Sequence, residues 1–167
     1  MKCLYPIMLG KYRTQPVGCG QCLNCRINQK RVWKSRIMLE SACNGSPVFG
    51  TLTFDDESLD KLPKSPGGLP YLNAAVWQNW MKRARNYMPN GVRFYACAEY
   101  GDNSGRPHFH FLFWNVDIRV VQYAVDKTWT FGHSMILPAE KGVEDYVSGY
   151  VTKKATKDVS SLPADGS

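Results

Sequence analysis

The stretch GRPHFHFLFW, residues 105–114, constrains the fold of this chain more than any other. Side chains alternate across a β-strand, so a strand here sends Phe109, Phe111 and Phe113 to one face and His108, His110 and Leu112 to the other. The phenylalanine face requires a helix-covered core. The imidazoles require something polar to face. RFYACAE, residues 93–99, sorts the same way, with Phe94, Ala96 and Ala98 on one side and Arg93, Tyr95, Cys97 and Glu99 on the other. In VFGTLTF, residues 48–54, rich in β-branched and aromatic residues, Thr51 and Thr53 fall together. With these strands as neighbours, one sheet face carries two imidazoles, one carboxylate and two hydroxyls.

Alternate residues on a strand lie roughly 6.6 Å apart along the chain. His108 and His110 can therefore converge on one ion at bond lengths of about 2 Å. Glu99 from the adjoining strand completes a three-ligand set with open positions. Two His and one Glu suit Mn²⁺ or Zn²⁺ by ligand type, and Mg²⁺ where substrate phosphates add oxygens. A His-x-His pair alone is more often structural; Glu99 on the matching face, a Gly-rich turn and a basic chain are what favour a metal. His133 has no such partner and reads as structural.

A second cluster lies in YVSGYVTKK, residues 146–154. Tyr146 and Tyr150 are four apart, one above the other on a helix, and Lys153 and Lys154 continue along that side. Val143, Val147 and Val151 form the neighbouring stripe and bury against the sheet, which frees the tyrosines to face a site. A phenol can attack phosphorus once a metal or base assists it.

The chain of 167 residues is one domain's worth, with residues 1–157 as a single domain, 1–25 as a Cys-rich element within it, and 158–167 as a polar tail, frayed or leading into a longer chain. Helices are expected from 25 to about 41, from a cap at Asn73 along the stripe Trp77, Trp80, Met81, Ala84, Tyr87 and Met88, over 117–130, and from 142 to about 155. A short strand is expected over 133–137, and DDESLDKLPKSPGGLP reads as a mobile loop. This order gives the α+β class, an antiparallel sheet backed by helices. No apolar run approaches the ~20 residues that span a bilayer, and MKCLYPIMLGKYR is too short in its apolar part for a secretory signal, so the expectation is a cytosolic protein with no membrane partner.

A net charge of +7 points to a polyanion, most often nucleic acid. Its distribution strengthens that reading: five basic residues and no acid lie between Arg26 and Arg36, with further groups at Lys82, Arg83 and Arg85 and at Lys153, Lys154 and Lys157. CGQCLNC supplies Cys19, Cys22 and Cys25, and Cys3 would complete a Cys₄ set of the kind structural zinc prefers, like a zinc knuckle. Cys43 or Cys97 as the fourth ligand, or free thiols, are the alternatives.

RPHFHF resembles the HUH motif of single-strand DNA nickases. The wider set TLTFDDE, WMKRAR, AEYGDNSGRPHFHFLF and YVSGYVTKK, spread from about Cys3 to Lys154, is similar to the replication initiators of gokushovirus-type microviruses, small phages with circular single-stranded DNA. The resemblance implies a rolling-circle Rep endonuclease with a ferredoxin- or RRM-like sheet and its site on the open face. It implies that Glu99, His108 and His110 hold Mn²⁺ or Mg²⁺, that Tyr146 and Tyr150 are paired nucleophiles forming a 5′-phosphotyrosine link, and that Lys153 or Lys154 supports the phosphate. Single-tyrosine relatives carry Tyr-x-x-Lys, which fits Tyr150 and Lys153 and favours Tyr150 as first attacker. Thr51 and Thr53 would belong to the first family motif. With Arg93, Tyr95 and Arg106 they are candidates for gripping or stacking single-stranded DNA, or else ordinary surface residues. The partners implied are a phage origin and, since nothing here resembles a helicase, a host helicase and polymerase in the bacterial cytoplasm. Two other classes stay open: a hydrolytic metallonuclease that never links to DNA, and a non-catalytic basic zinc-knuckle nucleic-acid-binding protein.

Overall fold

The computed structural model describes residues 1–8, 10, 15–65, 68, 70–101, 105–140 and 142–153, with 150–153 as helical backbone alone. Lys154 and the tail 158–167 lie outside the described residues. Four strands, β1 (Val48–Thr53), β2 (Arg93–Tyr100), β3 (Pro107–Trp114) and β4 (Ser134–Pro138), form one antiparallel sheet in the order β2-β3-β1-β4. The chain enters through a helix, α1 (Leu23–Asn44), and a short helix, α2 (Asp56–Asp60), follows β1. Helix α3 (Ala74–Ala84) joins β1 to β2, α4 (Ile118–Thr128) joins β3 to β4, and α5 (Val143–Lys153) closes the described chain. Strand β3 lies between β1 and β2, and β1 between β3 and β4, which is the ferredoxin-like arrangement of two split βαβ units. In register, Thr51 pairs with His110 and Thr53 with His108, while Cys97 pairs with His110 and Glu99 with His108. The faces sort as alternation predicts.

The phenylalanine face is covered by α3 and α4. Asn73 accepts a hydrogen bond from the Val76 amide and Asp117 from the Arg119 amide, so each helix starts on a side-chain cap. Trp77, Trp80, Met81 and Ala84 of α3 and Val121, Ala124 and Val125 of α4 are buried against Phe109, Phe111 and Phe113. Trp80 places its Nε1–H on Thr128 Oγ1 at 3.0 Å, satisfying the polar atom such a large ring carries inward. Gly50 is required by packing. A Cβ there would lie 2.1 Å from Phe111 Cζ, so the ring rests directly on the β1 backbone.

The opposite face is not open. Helices α1 and α5 lie on it, and Ile37 and Val147 bury a second cluster with Phe49, Tyr95, Leu112 and Trp114. The sheet is therefore the middle of three layers. The physical reason lies in the strands themselves. Beyond the histidine end, the same alternation places Phe49, Leu112, Trp114 and Tyr95 on this face, and four large side chains there need cover. Polar ties fix the layer: Trp114 Nε1–H donates to Ser41 Oγ at 3.1 Å, Arg93 pairs with Glu40, and Lys34 Nζ meets Asp145 Oδ2 at 2.6 Å. Val143 and Val147 face the sheet as expected, while the side chain of Val151 lies outside the description. The stretch expected to be a loop contains α2, started by Asp55, whose carboxylate accepts from the Ser58 amide at 2.7 Å. No helix among the described residues is long and apolar enough to cross a membrane.

Candidate active site

Where α1 and α5 leave the sheet, its polar row lies at the β3 start. His110 Nε2 is 2.9 Å from Glu99 Oε2, and its Nδ1 is 2.9 Å from Thr51 Oγ1. His108 donates from Nδ1 to the Arg106 carbonyl at 2.6 Å. The two imidazoles stack with centroids 6.1 Å apart and planes inclined by 25°. Glu99 is 8% exposed and His110 4%, so the carboxylate and its imidazole are desolvated together, which a charged group tolerates only with partners.

The donor chemistry fits a divalent cation. A carbonyl only accepts, so His108 carries its proton on Nδ1 and the neutral ring presents the lone pair of Nε2. That is how metal-binding histidines are held, one nitrogen anchored to the protein and the other toward the ion. His110 also has its Nδ1 anchored, on a hydroxyl, with Nε2 on the carboxylate side. Glu99, His108 and His110 thus supply two imidazole nitrogens and a carboxylate, a set suited to Mn²⁺ and, with substrate oxygens added, to Mg²⁺.

Helix α5 delivers a tyrosine to this row. Val147 is wholly buried against the sheet, and one residue earlier Tyr146 turns its ring edge to His110 at 6.1 Å and to Phe49 at 5.8 Å. Phe49 in turn stacks on His110 at 5.9 Å. Tyr146 remains 56% exposed, open to an incoming strand. Tyr150 and Lys153 lie one and two turns further on, within the part of α5 described as backbone. Phe49 was missed in the sequence, although alternation from Thr51 places it on the same face.

The other expected contacts fall elsewhere. Thr53 donates from Oγ1 to the His133 carbonyl at 3.2 Å, tying β1 to the start of β4. Arg106 binds Asp56 Oδ1 at 2.7 Å and the Phe54 carbonyl at 2.9 Å, bracing the turn before β3 against α2. Arg93 stands opposite Trp114, at the end of β2 far from Glu99, and bonds Glu40 of α1. Tyr95 is buried with its ring 5.1 Å from Trp33, and burial pushes its phenol well above the usual range, so it offers no open face to a base.

A separate cluster sits at the head of α1. Cys3, Cys19, Cys22 and Cys25 bring their sulfurs within 4.8 Å of one another, and among the described residues they form the group of this kind that could hold a metal. The amides of Cys19 and Cys22 point at the sulfurs of Cys3 and Cys19, each at 3.3 Å. Hydrogen bonds from the Leu4 and Cys25 amides bring the Cys22 thiol down to about 6. At Cys25 the Gly20 amide pulls down, yet the thiol of Cys3, burial and the thiols of Cys22 and Cys19 outweigh it and push the group up to about 12. Four thiols this close cannot all ionise unless a cation joins them, and a Cys₄ set is a structural zinc site by chemistry. The cluster could hold a zinc ion. Cys43 is exposed and Cys97 lies under His110, so neither is the fourth ligand.

Residues 47–157 match the family of the replication-associated protein ORF2. The chain is 27% identical over 166 residues to the replication-associated protein ORF2 of Spiroplasma virus 4, covering 87% of this chain and 51% of that protein. It is 29% identical over 154 residues to the replication-associated protein VP4 of Bdellovibrio phage phiMH2K, covering 81% and 48%. A third relative, the replication-associated protein ORF4 of Chlamydia phage 1, is 24% identical over 159 residues, covering 83% and 38%. The chain thus spans about half the length of these relatives, or less. No solved structure matches it. The family match takes in every strand, the histidine row and α5, whereas the four cysteines and α1 precede it.

Proposed function

This chain belongs to the replication-associated protein ORF2 family, and from that premise we propose that it nicks and rejoins single-stranded DNA by transesterification to a tyrosine, as the initiator of rolling-circle phage replication. The observation that carries the reading is Tyr146 standing edge-on to His110 while His110 and Glu99 face each other at 2.9 Å, a phenol beside a metal-type donor set.

A divalent cation held by Glu99, His108 and His110 would supply Lewis-acid charge to a non-bridging phosphate oxygen. The chain's own residues do the rest. The phenolic oxygen of Tyr146 or Tyr150 attacks phosphorus in line. A tyrosine–phosphorus ester bond forms, the bond to the 3′-oxygen breaks, and the phenolic proton passes through solvent to the leaving oxygen, giving a free 3′-hydroxyl. One phosphoester replaces another, so the step runs backwards to rejoin. Lys153 and Lys154 would offset charge building on the phosphoryl oxygens. A second tyrosine one turn away would cut the regenerated origin while the first still holds the old end. Thr51 and Thr53 stay next to the scissile phosphate in this reading, whereas Arg93 and Tyr95, one ion-paired and one buried, are removed from the DNA path. The DNA partner would be a circular phage genome's origin, with a host helicase and polymerase acting in the bacterial cytoplasm.

The test is a denaturing gel of the protein with labelled single-stranded origin DNA and Mn²⁺, beside Tyr146→Phe, Tyr150→Phe and the double variant. A labelled adduct that survives boiling in detergent is expected, absent from the double variant, with the single variants naming the first attacker. Cleavage with no adduct would replace this reading by a hydrolytic metallonuclease. Salt-sensitive binding with no cleavage would replace it by a binding module.

A further inference from the structure

We propose that Thr51 is the positioning residue that sets the tautomer of His110 and so controls whether that ring can take a cation. The inference rests on the proposed metal site at Glu99, His108 and His110, and concerns a hydroxyl with no role assigned in it.

The two histidines are anchored differently. His108 has its Nδ1 on the Arg106 carbonyl at 2.6 Å. A carbonyl has no proton to give, so that ring has a single tautomer, Nδ1–H, with its Nε2 lone pair presented for binding. His110 lies between two partners: Glu99 Oε2 at 2.9 Å from Nε2 and Thr51 Oγ1 at 2.9 Å from Nδ1. A carboxylate accepts, so in the absence of a cation Nε2–H donates to Glu99, and the Thr51 hydroxyl donates into Nδ1. The ring is then closed toward a metal, because its Nε2 lone pair is taken by the proton. For the ring to bind, that proton must leave Nε2 and the neutral ring must carry its proton on Nδ1. Nδ1–H then needs an acceptor, inside a site where His110 is 4% exposed. A hydroxyl can reverse its role, donating in one state and accepting in the other. Thr51 therefore satisfies both tautomers with one rotation about its C–O bond, and lets cation binding proceed without stranding a buried N–H.

Register fixes this partnership. Thr51 and His110 are Cα partners on β1 and β3 and share a face, so the hydroxyl cannot drift from the ring without loss of the strand pairing. Thr53, two residues on, cannot substitute, since its hydroxyl is held on the His133 carbonyl. One threonine of the pair is thus a structural tie and the other a ligand orienter.

The experiment compares the full chain with Thr51→Val, Thr51→Ser and Glu99→Gln. Val keeps the β-branched shape but has no acceptor; Ser keeps the hydroxyl. With zinc already supplied to the cysteines, Mn²⁺ binding is measured by calorimetry, and the ring nitrogens of His110 are read by ¹⁵N–¹H correlation with and without Mg²⁺. Removing an outer partner of a metal ligand typically weakens the metal 10–100-fold, so Thr51→Val should bind Mn²⁺ about that much more weakly, with Thr51→Ser close to the wild type. In the wild type the His110 proton should move from Nε2 to Nδ1 on adding Mg²⁺, and in Thr51→Val it should stay on Nε2. Unchanged Mn²⁺ affinity in a folded Thr51→Val, or no shift of tautomer in the wild type, overturns the role of Thr51 alone. A wild type that takes no Mn²⁺, or a Glu99→Gln that binds as well as the wild type, overturns the metal site itself and the inference with it.

Discussion

Adding one methyl group at Gly50 tests the register on which the site depends. The Cβ of an alanine would lie 2.1 Å from Phe111 Cζ, with Cε1 and Cε2 at 2.5 and 2.6 Å. Ordinary carbon contact begins near 3.5 Å, so the ring must retreat by about 1.4 Å. It has nowhere to go. Phe111 is fully buried, with Phe113 at 4.4 Å and Trp80 and Trp77 at 5.8 and 5.9 Å between ring centroids. Overpacking a dense core costs about 1–3 kcal/mol, and a contact this short against rings that cannot yield belongs at the upper end, about 3 kcal/mol. Urea unfolding of Gly50→Ala followed by tryptophan fluorescence gives the loss directly. Phe111→Leu removes the clashing atoms, so in Gly50→Ala/Phe111→Leu the two losses should fall short of their sum by about 1 kcal/mol or more. A Gly50→Ala variant within about 0.5 kcal/mol of the wild type, or strict additivity in the double variant, would mean that Phe111 does not rest on Gly50. The pairing of Thr51 with His110 on the opposite face would then be wrong too, because a one-residue slip reverses both faces together.

Cys25→Ser should abolish bound zinc, read by elemental analysis of the purified chain, and should open residues 1–25 to protease, since the head of α1 is assembled around those sulfurs. Acid sensitivity follows from three carboxylates held below their ordinary 3.8: Asp55 by the Ser58 amide, Asp117 by Arg119 and Asp145 by Lys34. Their folded values lie below the unfolded one, so their contribution is complete above about pH 4–5 and is lost as pH falls through the folded values. The urea midpoint should be flat from pH 7 to 5 and fall below about 4, with a shallower fall in Asp145→Asn; an equal slope in that variant would dismiss the Lys34 pair as a contributor.

Much of this was legible in the residues because the information was local. Alternation in β1, β2 and β3 sorted the faces, and the stripe from Trp77 to Ala84 with Asn73 before it marked α3 and its cap. What escaped was the outer layer. Val32, Met38 and Leu39 of α1 are exposed while Ile37 is buried, so its apolar residues form no single stripe and its packing face cannot be seen from spacing. The signal was on the strands instead, in Phe49, Leu112, Trp114 and Tyr95. Arg106 read as a DNA contact because its acceptors, Asp56 and the Phe54 carbonyl, are some 50 residues away in the chain. Helix α2 is only five residues long, too short for a periodic pattern, and only Asp55 announces it.

The separations within the polar row also set an order of assembly. Glu99 and His110 are 11 residues apart, across the hairpin of β2 and β3, whereas Thr51 is 59 residues from His110. Closing the shorter loop costs less entropy and happens sooner, and pairing distant strands is the slow part of forming such a sheet. A refolding chain would bring carboxylate and imidazole together while the hydroxyl that reverses the ring is still absent. A cation arriving then meets a competent His108 and a closed His110, so metal uptake should lag behind hairpin formation and keep pace with the docking of β1.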